Sequence, residues 1–339
     1  MTEQNSNLPV QQAEDGAVGA AAAAAQGQTG FKNKAKILAG KIWKARMAYL
    51  FLAPLMIGVL CFCYYPPILA IVRSFTGWQI GASSPNYTYS FDNYIRLFQD
   101  SVFLDSIWNM LYINIPKLII GIVVPLIFAE MLFWVKRKKL SAVYRVMVLL
   151  PIITPGVIGT YLWTYIYRTD GLLNGLLGLF GADVDISWLN NAATVIPAII
   201  FMGFPWIGGT SVLIYMSGLM SIPAEVGEAA KLDGARTMRV IWSLHLPSLM
   251  GQIRYFLVFG LIGAFQDYGI QVVLSGAGTV QRDIINSAIM VPGYYMYTQA
   301  FSEGNLGYAC AIGTIIFLFV MIITAITFKV FNAQKFELD

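Results

Sequence analysis

Charged residues are scarce: Asp, Glu, Lys and Arg make up 12% of the 339 residues, against roughly 25% in soluble domains. That excludes an ordinary water-soluble surface. Histidine occurs once, at His245, which leaves metal binding and acid–base chemistry thinly supplied. The three cysteines, Cys61, Cys63 and Cys310, lie in apolar runs with no Cys-x-x-Cys spacing. Residues two apart stand about 200° apart around a helix, so Cys61 and Cys63 do not share a metal on one face. They read as small buried hydrophobes. No G-x-x-x-x-G-K-[ST] phosphate loop occurs, so the chain itself is not expected to hydrolyse ATP. The net charge of +4 is small and points to no nucleic-acid partner.

Apolar sequence is what the chain has in abundance. Hydrophobic residues make up 57% and mean hydropathy is +0.64. A helix crossing the hydrocarbon needs about 20 mostly apolar residues. Six runs qualify, at roughly 49–72, 107–135, 143–167, 193–219, 254–275 and 308–331. They predict an all-α integral membrane protein with six transmembrane helices, contained in residues 48–332. Pro116, Pro125, Pro151, Pro155, Pro197 and Pro205 fall inside these runs. Intramembrane proline is tolerated where neighbouring helices satisfy the freed carbonyls, and it marks kinks. Residues 1–30 read as a disordered cytoplasmic tail. Their Ala20–Ala25 run is short and follows no cationic segment, so it fails the signal-peptide template. Residues 31–47 are cationic. Phe31, Ala35, Leu38 and Ile42 share one helical face there, suited either to lying on the inner leaflet or simply to fixing topology. Residues 333–339 form a cytoplasmic C-terminal tail.

Basic residues set the orientation. With both termini inside, 17 of the 22 Lys and Arg fall on the cytoplasmic side, including the Lys136–Lys139 cluster. Only Arg73, Arg96, Arg168 and Arg282 fall in outer loops, which satisfies the positive-inside rule.

Between the fourth and fifth runs lies the polar stretch 220–247, and it is built to turn. Pro223 is placed to open a helix at its first turn, with Glu225 and Glu228 near its positive end. Ala229 and Ala230 leave a low surface that a partner approaches closely. Gly234 permits a turn that other residues resist, and Asp233 is placed to cap a second helix, Ala235 to Leu244. Two short helices at an angle, projecting one small knob, are predicted.

This stretch resembles the conserved cytoplasmic loop of ABC importer membrane subunits: Glu-Ala-Ala, three residues, Gly, nine residues, Ile, one residue, Leu-Pro. Here Glu228-Ala229-Ala230 is followed at that spacing by Gly234 and by Leu246-Pro247, with Leu244 where the family usually has Ile. The resemblance extends over about residues 45–335. Tyr49-Leu50-Phe51-Leu52-Ala53-Pro54, Tyr65-Pro66, Asn93-Tyr94, Arg145, Leu150-Pro151, Trp163, Gly171-Leu172-Leu173-Asn174 and Gly307-Tyr308-Ala309 are similar to the carbohydrate, maltose-type branch. It implies a type I importer permease fold and a non-catalytic subunit in the bacterial cytoplasmic membrane. Glu228, Ala229, Ala230 and Gly234 would be its ATPase-coupling residues, with Asp233 in support. The implied partners are an ABC ATPase dimer that carries ATP and Mg, a second homologous permease, an extracytoplasmic solute-binding protein and membrane lipid. No cofactor is expected on this chain. The implied cargo is a sugar or oligosaccharide, with glycerol-phosphate, amino acid or phosphate as alternatives. An ion-coupled secondary transporter is the rival class, but no internal inverted repeat of the kind such transporters show is evident.

Sugars are held by aromatic faces and hydrogen bonders. Trp206, Thr210 and Leu213 fall at helical spacing on the fourth run. Gly260, Gly263 and Ala264 on the fifth lead to Gln266, Asp267, Tyr268 and Gln271. Polar groups inside a membrane are costly and usually face a cavity or a partner. Trp206, Thr210, Gln266 and Asp267 are therefore the predicted cargo path, with Tyr268 and Gln271 secondary. Lys117 either pairs with a carboxylate such as Asp267 or snorkels outward, and Glu130 is expected to meet the Lys136–Lys139 cluster. A cysteine label at position 234 is expected to react from the cytoplasmic side alone; labelling from outside would overturn this topology.

Overall fold

The computed structural model describes residues 44–81, 86–182, 185–276, 278 and 280–332. The predicted tails, 1–30 and 333–339, and residues 31–43 of the cationic segment lie outside the described residues. The chain forms two compact units, residues 1–69 and 70–339. The first is described from residue 44 and holds most of the apolar helix Arg46–Arg73, whose middle, Val59–Tyr64, is π-helical. Cys61 and Cys63, expected to be buried, are exposed on this helix. It is apolar all round, so a small hydrophobe there has no need of a core.

In the second unit, three more helices are long and apolar enough to cross a membrane: Ser101–Phe133, Met250–Gly276 and Leu306–Thr327. The other two predicted spans are not single helices. The third bends by 87° between Lys139–Ile153 and Gly156–Ile166. Thr154, held extended at φ −81°, ψ 121°, precedes Pro155, and a residue before proline is driven out of the helical region. The fourth is split into Val195–Phe201 and Gly209–Met220. The break holds Gly203 at φ 94°, Pro205 and Trp206 at φ 54°. Outside the spans, the all-α expectation gains one small exception: Thr76–Gly77 pairs antiparallel with Asn86–Tyr89.

The core is in two layers, one at the end of the unit carrying loop 221–245 (the loop end) and one at the far end. At the far end Phe103, Met110 and Ile113 pack with Ile199, Leu274, Ile289 and Ile312. At the loop end Ala129 and Leu132 pack with Val212, Tyr215, Leu219 and Leu249. The Ser101–Phe133 helix thus serves both layers, and its residues 114–125 belong to neither.

That helix is fixed at its start by Asp100. Its Oδ1 accepts from the amides of Val102 (3.0 Å) and Phe103 (3.4 Å), an N-cap. Its Oδ2 accepts from the hydroxyls of Tyr295 and Tyr308, each at 2.6 Å, and Arg96 lies over the Tyr308 ring at 4.1 Å. Partial burial works to raise the Asp100 pKa, but these hydrogen bonds outweigh it and hold the carboxyl below its ordinary value. The stability this group contributes is complete above the usual carboxylate range and is lost as pH falls through the lowered folded-state value. Asp100→Ala removes a cap and the acceptor of two hydroxyls, so a loss on the order of 2–3 kcal/mol is expected. Thermal unfolding of the chain in nanodiscs at neutral pH measures it, and an unchanged Tm would contradict the assignment.

Candidate functional site

The loop rises from the end of Gly209–Met220. Ser221 turns the chain, donating its hydroxyl to the Gly218 carbonyl at 2.7 Å. Pro223 sits at the N-cap, one place earlier than a first-turn proline, and the helix runs Ala224–Leu232. No residue of that helix is buried. It ends in a Schellman closure: Gly234 N–H bonds to the Lys231 carbonyl (3.0 Å) and Ala235 N–H to the Ala230 carbonyl (2.9 Å). Gly234 is left-handed at φ 71°, and a Cβ there would meet nothing within 4 Å. Glycine is needed for its backbone and not for space.

Asp233 differs from expectation. It is the C-cap of the first helix, and the second begins at Thr237 without a side-chain cap. The Schellman turn uses residues 233–235, so no helix can start at Ala235. The returning arm is Thr237–Val240, a π-helical stretch Ile241–His245, then Leu246–Ser248, leading into Met250–Gln266. Glu228, Ala229, Asp233 and Gly234 are exposed and Ala230 is half-buried. Beside them Leu232 is 89% exposed, Met238 69% and Trp242 68%.

Both ends of the loop root in one place. Leu219 and Leu249 are fully buried in the loop-end core. Gly218 makes this possible, because a Cβ there would lie 2.5 Å from Leu249 Cδ2 and 2.7 Å from Gln252 Nε2.

A second feature lies where the Ser101–Phe133 and Met250–Gln266 helices face each other between the core layers. A cavity of about 610 Å³ is lined by Asn114, Lys117, Gly121, Tyr255, Phe259, Gly263 and Asp267, among others. Lys117 Nζ pairs with Asp267 Oδ2 at 3.3 Å. Asn114 Nδ2 donates to the Ala264 carbonyl at 2.7 Å, and Gly260 lets Leu118 pack against the helix backbone. Tyr255 and Phe259 adjoin with ring centroids 4.6 Å apart.

The residues picked for a cargo path do not form one set. Asp267 lines the cavity. Trp206 is not on a helical face with Thr210 but in the break, donating Nε1–H to the Ile200 carbonyl at 3.1 Å and packing against Phe201 and Phe204. Thr210 and Gln266 are exposed outside the cavity lining. Tyr268 stacks on Tyr297 at 5.9 Å. Gln271 is buried with Oε1 unpartnered, facing the protein interior and not the cavity. Asn114, Lys117, Tyr255 and Phe259 lie outside the predicted path. The signal for the first two was present: Asn114, Lys117 and Gly121 fall at helical spacing in an otherwise apolar run. Glu130 was expected at the lysine cluster; it meets His245, and among the described residues no ion pair joins it to Lys136, Arg137 or Lys139.

Spans packed through two core layers and carrying a glycine-turned protruding loop define a polytopic helical membrane protein with a contact surface outside its membrane-spanning part. Residues 103–335 match the family described as "Binding-protein-dependent transport system inner membrane component", and the chain belongs to that family. It is 29% identical to the probable ABC transporter permease protein YesP of Bacillus subtilis, over 83% of this chain and 89% of that one. It is 27% identical to the arabinooligosaccharides transport system permease protein AraP of the same organism, over 87% and 91%. Among solved structures it shares its fold with a bacterial ABC transporter involved in import of the acidic polysaccharide alginate. The TM-score is 0.75 at 23% identity, over 88% of this chain and 99% of that one. The chain also shares its fold with a bacterial alginate ABC transporter in complex with an alginate pentasaccharide-bound periplasmic protein, with a TM-score of 0.72 at 23% identity over 85% of this chain and 94% of that one.

Two glycine substitutions separate backbone need from space. Gly234→Ala is expected to cost about 1 kcal/mol of backbone strain, with the chain still monodisperse. Gly218→Val drives a side chain into Leu249 and Gln252, which must shift within a packed core, and is expected to cost about 1–3 kcal/mol, more than Gly234→Ala. Size exclusion and thermal unfolding read both.

Proposed function

We propose that this chain is the membrane subunit of an ATP-driven importer of a sugar or oligosaccharide, coupled to a separate ATPase through residues 221–245. ATP and Mg would be carried by that partner. The observation that carries the reading is the loop itself: an exposed helix closed by a Schellman turn, with Leu232 and Met238 held out beside Gly234. Large apolar groups held out in this way mark contact sites, and burying one leucine contributes roughly 1.5–3 kcal/mol. Glu228, Ala229, Ala230, Asp233 and Gly234 form the face that meets the ATPase. The basic-residue distribution supports placing this face and both termini in the cytoplasm. A second six-span permease and a solute-binding protein complete the assembly; the family's description supports the binding protein.

Cargo passes the cavity between the second and fifth spans. Tyr255 and Phe259 supply ring faces, and Asn114, Lys117 and Asp267 supply hydrogen bonds. Trp206, Thr210, Gln266, Tyr268 and Gln271 are dispersed, so of the expected path residues Asp267 is the one retained at this cavity. An acidic or phosphorylated cargo is the second reading, and Lys117 is the observation that favours it, because an ammonium lining the cavity can pair with an anionic group.

Purification of the tagged chain from native membranes is expected to recover an ATPase and a second permease; recovery of this chain alone, active in uptake, would overturn the proposal. Leu232→Ala is expected to weaken ATPase retention on the order of tenfold. Phe259→Ala is expected to raise the uptake KM about tenfold with cargo affinity of the binding protein unchanged. Unchanged uptake kinetics would remove the cavity from the path.

A further inference from the structure

His245 closes the π-helical stretch of the returning arm and is 4% exposed; Glu130, near the loop end of the Ser101–Phe133 helix, is 8% exposed. Nδ1 of His245 lies 3.1 Å from both Glu130 carboxylate oxygens, a geometry in which Nδ1–H donates to the carboxylate. The imidazole also packs edge-on to Phe133 at 5.1 Å and against Trp134 at 6.0 Å. Neither residue lines the cavity or the exposed face of the loop.

A carboxylate at this depth is costly unless it is partnered, and well-packed apolar residues of similar volume would stabilise the site as well or better. What apolar packing lacks is direction. Leu219 and Leu249, which root the two ends of the loop, make contacts that tolerate sliding. The Glu130–His245 hydrogen bond fixes distance and angle and so resists it. The π-helical stretch adds one residue to the arm and turns it by about 100° relative to a continuous α-helix, which aims His245 at Glu130.

We propose that the Glu130–His245 pair is the joint that passes displacement of loop 221–245 to the second span. Glu130 and Lys117 share that helix, about 20 Å apart. A pull on the returning arm therefore moves the wall of the cavity that holds Asn114, Lys117 and Gly121. The apolar root keeps the loop attached, while the polar joint sets when the cavity wall follows it. This rests on the reading of the loop as the ATPase contact.

The test uses the assembled transporter, with ATPase, second permease and loaded binding protein, reconstituted in proteoliposomes. Glu130→Leu, His245→Phe and the pair Glu130→Leu with His245→Phe, each of which removes the hydrogen bond, are compared for ATPase retention, ATP hydrolysis and cargo moved per ATP. All three are expected to retain the ATPase and hydrolyse ATP, while cargo per ATP falls about tenfold. The exchanged pair, Glu130→His with His245→Glu, is expected to recover part of the coupling. Normal cargo per ATP in both single variants, whatever their Tm, would overturn the joint and leave the loop reading standing. Absence of the ATPase from the wild-type preparation would instead overturn the loop reading beneath it.

Discussion

Inside hydrocarbon no water is available, so every backbone N–H and C=O has to find its partner within the protein. The apolar runs of this chain become helices for that reason, and the same constraint governs the places where the helices stop. The breaks in the fourth and fifth spans are closed by side chains. Trp206 Nε1 donates to the Ile200 carbonyl as Val195–Phe201 ends, and the Tyr167 hydroxyl donates to Ala198 in the same short helix at 2.9 Å. Asn114 donates to the Ala264 carbonyl beside the break at Asp267. Irregular backbone is tolerated in these spans because aromatic and amide side chains replace the lost helical bonds.

The few polar groups that remain are therefore the structural vocabulary of function. Along one helix, Asp100 caps the start, Asn114 and Lys117 face the cavity, and Glu130 meets the arm of the loop. These contacts tie the helix to three other parts of the unit: the far-end tyrosines, the fifth span and the loop. Its two ends are packed into separate cores while its middle faces the cavity. Motion of the loop and shape of the cavity are linked through this one element.

Six apolar runs were legible because hydropathy is a property of composition. Their continuity was not. Pro155 and Pro205 announced interruptions, yet the 87° bend and the left-handed Trp206 depend on what surrounds them. The loop was legible to within a residue or two, because Gly234 and the alanines before it answer to local backbone rules. Asp233 was misplaced for a physical reason: capping and Schellman closure compete for the same residues, and the bonds from Gly234 and Ala235 decided it. Gly218 gave no sign of its role, since the approach of Leu249 is a tertiary fact.

Sequence by itself determined what this chain is: a membrane protein whose apolar runs are long enough to span as helices, carrying a polar, glycine-turned insert. Those conclusions rest on transfer of side chains and on local φ/ψ preferences, which neighbours in space hardly alter. Only tertiary structure decided which polar residues act together. Lys117 with Asp267, and Glu130 with His245, are 150 and 115 residues apart in the chain. Pairing at that separation is set by how the helices pack, and no local preference encodes it.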